Sequence, residues 1–175
     1  MERLSGEVNV QLESYRQIVK KSEFNEGYFA ALPALKPMEG YYSTKGFGLR
    51  MHPIIGIFKT HEGLDIINDV GTPVVASGDG SIEMAGQSGG GYGNVVVINH
   101  GYGYQTLYAH LSRVSVHEGQ RMKRGDLIAK SGRTGLVSGP HLHYEVRHNG
   151  KHENPADYFF NDVSARDYKL QVASK

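Results

Sequence analysis

The chain has 175 residues, 39% of them hydrophobic, and a formal charge of +1, which suits one globular domain with an appendage and argues against a nucleic-acid binder. It holds no cysteine, so disulfides and thiolate ligands are excluded and any metal must be held by imidazole, carboxylate and water. No stretch approaches the roughly 20 apolar residues of a membrane-spanning helix, and Met1-Glu2-Arg3-Leu4 leads into polar sequence rather than the apolar run of a signal peptide.

Residues 1 to about 32 are poor in glycine, and Leu4, Val8, Leu12, Tyr15 and Val19 recur at helical spacing. The stripe predicts a helix that packs on the domain; the alternative is self-association with another helix as a short coiled coil. Pro33 and Pro37 end helix formation, so residues 1–40 read as a helical segment and connector. From Tyr41 onward, glycines punctuate short apolar runs. Strands are predicted over 72–76, 80–84, 94–98, 105–109, 126–130 and 140–147, with loops over 119–125 and 131–139. The fold class is therefore mainly β, an antiparallel sheet or sandwich, with an N-terminal helical segment and a short C-terminal helix. Val95 to Ile98 is apolar on both faces and should be a central strand. In the next strand Tyr104, Thr106, Tyr108 and His110 share one face, opposite Leu107 and Ala109. After Asn154-Pro155 a helical turn and a tail over 161–175, with Ser164 as helix cap, close the chain.

Two segments carry chemistry. In His141-Leu142-His143 the imidazoles leave one face of a strand about 6.5–7 Å apart, so that one can bind a metal while the other reaches the metal's water. In His61-Glu62-Gly63-Leu64-Asp65 an imidazole and a carboxylate fall on one face, and Gly63 favours extended backbone with open space between them. Together with His143 they form a two-histidine, one-carboxylate set that leaves a zinc position for water. Surface histidines on a half-buried strand are the plain alternative, and the presence of both segments argues against it. Glu145 follows His143 by two positions, where it either supports that imidazole or is a surface carboxylate.

The pairing of His61-x-x-x-Asp65 with His141-x-His143 resembles the signature of the lysostaphin-type (LytM) zinc endopeptidases, which cleave peptide cross-links of bacterial peptidoglycan. Gly48-Leu49-Arg50-Met51-His52-Pro53, Gly71-Thr72-Pro73-Val74, Tyr108-Ala109-His110-Leu111, Gly139 to Glu145 and Asn154-Pro155 are similar to that family's motifs in the same order. The resemblance implies a zinc peptidase domain over 41–160. It implies zinc ligands His61, Asp65 and His143, a catalytic pair His110 and His141, and groove residues Arg50, His52 and Tyr108. No His-Glu-x-x-His helix supplies a glutamate base, so histidine must take that part. His141 is read as the base and His110 as orienter or proton donor. The tyrosine that precedes the family's first ligand motif has no clear match here, which leaves the oxyanion stabiliser unassigned.

The resemblance further implies peptidoglycan peptide stems as the partner, and action outside the cytoplasm. That location sets up the expectation of an export signal or membrane anchor preceding this chain. A cross-link of D-alanine to diaminopimelate is favoured over a glycine bridge and calls for a cation to bind carboxylate, with Arg50, Arg133 and Arg147 as candidates. The competing reading is a non-catalytic binding or activator module of the same fold that regulates another cell-wall hydrolase.

Overall fold

A computed structural model describes residues 26–51 and 56–159; the expected stripe from Leu4 to Val19, the C-terminal helix and His52 lie outside the described residues. The chain divides into two compact units, Met1–Ala30 and Ala31–Lys175. In the first, residues 26–30 are helical. Among the described residues no helix is long and apolar enough to cross a membrane.

The second unit is antiparallel β structure, as its glycine-punctuated runs predict. Its strands are β1 (Gly48–Met51), β2 (Phe58–His61), β3 (Leu64–Ile66), β4 (Pro73–Val75), β5 (Gly80–Ser88), β6 (Gly93–Gly101), β7 (Tyr104–Ala109), β8 (Arg113–Val114), β9 (Arg121–Met122), β10 (Leu127–Lys130), β11 (Leu142–His148) and β12 (Lys151–Glu153). The main sheet runs β12-β11-β7-β6-β5-β9, and β3 adds to β11; β4-β10-β8 and β1-β2 form smaller sheets. Strand β11 therefore meets β7 along one edge, and β3 then β12 along the other. The β11–β12 hairpin turns on Asn149-Gly150, both at positive φ (50° and 76°), the geometry that an Asn-Gly pair supplies to a two-residue turn.

Strand β6 is buried on both faces, as its uninterrupted apolar run requires. Val96 and Ile98 enter the larger core with Leu64, Ile66, Tyr108, Leu142, Tyr144 and Val146. Val95 and Val97 pack on the opposite face with Leu107 and Ala109. Each large side chain buried this way contributes roughly 1.5–3 kcal/mol, so the sheet beneath the site is stiff. A buried polar chain crosses the larger core. The Tyr144 hydroxyl donates to Ser77 Oγ (2.8 Å), Ser77 shares a hydrogen with the Tyr108 hydroxyl (2.8 Å), Thr106 Oγ1 donates to Tyr108 (3.0 Å), and His100 bridges Thr106 Oγ1 and the Asp79 carbonyl.

The structure departs from the sequence-based expectations at four places. Tyr108, expected in the groove, is fully buried with its hydroxyl engaged by Ser77 and Thr106, so it cannot contact substrate there. His61 and Asp65 do not share one strand: the backbone bends at Gly63, and they belong to β2 and β3. A Cβ on Gly63 would lie 2.6 Å from the Tyr144 carbonyl and 2.8 Å from the His143 ring, so this glycine makes room for the imidazole. His110 does not follow Tyr108 into the core. Its φ of 62° breaks the strand alternation and turns the ring toward His141 and His143. Finally, the expected loop over 119–125 contains β9, because Met122 is drawn into the core.

Candidate active site

Strand register brings distant residues together. Pairing of β3 with β11 sets Asp65 directly opposite His143, and pairing of β7 with β11 sets Ala109 beside His143 on the other side. His61 closes β2, His110 follows β7, and His141 lies just before β11, in a bridge with Gly132. All five converge on the floor of one open cleft, which is also lined by Arg50, Lys59, Glu62, the Gly90–Tyr92 loop, residues 136–138 and Glu145.

Each imidazole is fixed through one ring nitrogen to an atom that can only accept. His61 Nδ1 lies 2.7 Å from the Gly46 carbonyl, His110 Nδ1 2.9 Å from that of Thr134, and His141 Nδ1 2.9 Å from that of Gly139. His143 uses the other nitrogen, with Nε2 3.1 Å from Glu145 Oε1. These nitrogens must carry the protons, which leaves the lone pairs of His61 Nε2, His110 Nε2, His141 Nε2 and His143 Nδ1 for the cleft. Three donors then form a tight triangle: His61 Nε2 to His143 Nδ1 is 3.1 Å, His143 Nδ1 to Asp65 Oδ1 2.9 Å, and His61 Nε2 to Asp65 Oδ1 3.2 Å. Lone pairs so close repel unless a proton or a cation lies among them. Tetrahedral ligands about 2.0–2.1 Å from a small divalent metal stand about 3.3 Å apart, so the triangle fits such an ion.

The electrostatics have the same origin. Burial alone would raise the Asp65 pKa, but His143 and His61 hold the carboxyl well below the usual range. Burial alone would lower that of His143, but the hydrogen bonds to Asp65 and Glu145 push it up to about 9. A metal bound to Nδ1 would take the place of that second proton. His110 is lowered to about 4, by burial first and by neighbouring His141 second, so its ring is neutral at physiological pH.

Behind the donors stands a second set of residues. Glu145 has no exposed surface, and its Oε1 also accepts from the Tyr92 hydroxyl at 2.7 Å. Its Oε2 receives Arg147 Nη2 at 2.7 Å and lies 3.1 Å from His152 Nε2; Arg147 Nη1 reaches Gln105 at 3.2 Å. Glu145 thus lies directly against His143, and His152 behind it is half-buried. The pairing of Arg147 with His152 across β11 and β12 explains that burial. Sequence reasoning missed Tyr92, Lys59, Glu62 and His152. The alternation of β11 puts Arg147 on the face of His143 and Glu145, and the Asn149-Gly150 turn fixes the position of His152; nothing local marks Tyr92 among its glycines. Of the three arginines considered for carboxylate binding, Arg50 lines the cleft and donates to Asp65 Oδ2 at 2.6 Å. Arg147 is bound to Glu145 behind it, and Arg133 is exposed and outside the cleft lining.

A β-sheet cleft with two imidazoles and one carboxylate close enough together to hold a metal, and two more imidazoles beside them, is a metallopeptidase class of site. The chain belongs to peptidase family M23, whose model matches residues 59–155. It is 51% identical over 109 residues to a DD-carboxypeptidase/endopeptidase, Mpg, of Neisseria meningitidis, a match that spans 62% of this chain and 25% of that protein. The structure resembles that of a zinc-containing peptidase from Vibrio cholerae, with a TM-score of 0.60 and 36% identity over 68% of this chain and 37% of that one. It also resembles the catalytic domain of lysostaphin from Staphylococcus simulans, with a TM-score of 0.61 and 32% identity over 68% and 91% of the two chains. The chain spans about a quarter of the length of the curated relatives it matches.

Proposed function

We propose that the chain is a zinc endopeptidase that hydrolyses peptide cross-links of bacterial peptidoglycan, outside the cytoplasm where that polymer lies. The observation that carries the reading is the convergence of four carbonyl- or carboxylate-fixed imidazoles and Asp65 on one cleft floor. His61 Nε2, Asp65 Oδ1 and His143 Nδ1 would hold the metal. Zinc bound there supplies a Lewis acid that polarises the amide carbonyl and brings the pKa of water toward ~7.

The chain's own residues handle the protons. His141 Nε2 lies 3.7 Å from Asp65 Oδ1, beside the donor triangle, and is the base that takes the proton of the attacking water. Its Nδ1–H stays on the Gly139 carbonyl, so the resulting imidazolium is oriented to return the proton to the leaving amine. His110, kept neutral by burial and fixed to the Thr134 carbonyl, has its ring centroid 4.8 Å from that of His141, and its free Nε2 would accept a hydrogen bond from this water and so orient it.

The test is His141→Ala in the metal-loaded protein, with purified peptidoglycan as substrate and mass spectrometry of the products. Hydrolysis should fall about 10²- to 10⁴-fold with zinc stoichiometry unchanged. Unchanged cleavage would reject the base assignment. A folded, zinc-loaded wild type inert toward varied muropeptides would favour the activator-module reading instead.

A further inference from the structure

We infer that Lys59, with Arg50 across from it, forms a carboxylate-binding subsite on the amine side of the scissile bond, so that the substrate recognised is a cross-link whose amine-donating residue carries a free carboxylate. This rests on the peptidase reading above and adds a named specificity determinant to it.

The β1–β2 pair has two unlike faces. Its register places Gly48 opposite His61, Leu49 opposite Thr60, Arg50 opposite Lys59 and Met51 opposite Phe58. Arg50, Lys59 and His61 share the face that borders the cleft. Two cations directly across from each other in a sheet are mutually destabilising. Arg50 is compensated, because its guanidinium sits 2.6 Å from Asp65 Oδ2. Lys59 is exposed and has no hydrogen bond or ion pair among the described residues. With Arg50 already paired, the Lys59 ammonium is the charge left unpartnered on this wall of the cleft among the described residues, and it would meet an anion that enters with the substrate. A flexible ammonium is suited to meet it there.

The spacing identifies which anion. Lys59 precedes the metal donor His61 by two residues on the same strand face, about 6.5–7 Å along the backbone. A carboxylate on the carbon that bears the scissile nitrogen lies a few bonds from the carbonyl being attacked, within reach of a lysine at that distance. Diaminopimelate joined through its side-chain amine presents such a carboxylate. A glycine bridge presents none.

The experiment compares two synthetic cross-linked peptides that differ only in whether this carboxylate is free or amidated, with kcat and KM measured at low salt. The wild type should prefer the free acid roughly tenfold or more in kcat/KM, mainly through KM, as a charge-assisted contact to the substrate requires. Lys59→Gln should bring the ratio of the two substrates to about one, Lys59→Arg should retain most of it, and added salt should shrink it in the wild type. Equal cleavage of both peptides by the wild type overturns the subsite, as does a preference that survives Lys59→Gln. Failure of the wild type to cleave either peptide, in a protein that binds zinc, would instead remove the peptidase reading on which the subsite stands.

Discussion

The floor and the wall of the cleft are built on opposite principles. The floor, β3, β11 and β7, lies on a core of fully buried side chains, and His110, His141 and His143 are each fixed there through one ring nitrogen; His61 alone reaches the floor from the end of β2, held by the Gly46 carbonyl. The wall, β1 and β2, is a two-stranded sheet that turns Leu49, Met51 and Phe58 outward at 57–73% exposure. Proton transfer and metal binding need atoms held to a few tenths of an ångström, which buried sheet provides. Recognition of a long charged side chain tolerates a looser support. Buried support in this molecule is concentrated beneath the His143–Asp65 donors and the imidazoles beside them.

The sharpest way to break it is to loosen the floor from behind. Arg147→Met removes the guanidinium from fully buried Glu145 and leaves its charge to Tyr92, His152 and the ring of His143 alone. Loss of one partner of a buried pair costs on the order of 3–5 kcal/mol, and loss of support behind a ligating histidine weakens metal binding about 10- to 100-fold. Urea unfolding and zinc competition with a chelator should both register the change, and a variant with wild-type zinc affinity would refute the support role.

A smaller effect follows from the polar chain beneath the floor. Burial lowers the His100 pKa from 6.5 to about 4, so between those values the unfolded chain binds a proton that the folded chain does not. The stabilisation is fully present above pH 6.5 and falls as the pH drops toward 4, by about 3 kcal/mol in all. Unfolding free energies of wild type and His100→Gln, measured across this window, should converge toward acid. Parallel curves would count against it.

The wall should show the least. Leu49→Ser and Phe58→Ser remove only exposed apolar surface and should change unfolding free energy by no more than about 0.5 kcal/mol. A loss of several kcal/mol in either would mean that the wall is as integral to the fold as the floor.

The sequence by itself determined the antiparallel β class, the doubly buried β6 and the grouping of His61, Asp65, His110, His141 and His143. Alternation, glycine spacing and donor chemistry are local properties of a chain and can be read along it. The proposed separation of His141 from His143 into proton carrier and metal donor rests on strand period together with the family resemblance. Only the tertiary structure decided that Tyr108 is buried, that His110 turns out of its strand, and that Lys59 and Tyr92 border the cleft. It alone paired His152 with Glu145. Each of these depends on which strand lies next to which, or on a single backbone torsion. A face that reads as exposed along one strand becomes interior once another sheet closes over it, and no spacing within that strand carries this information.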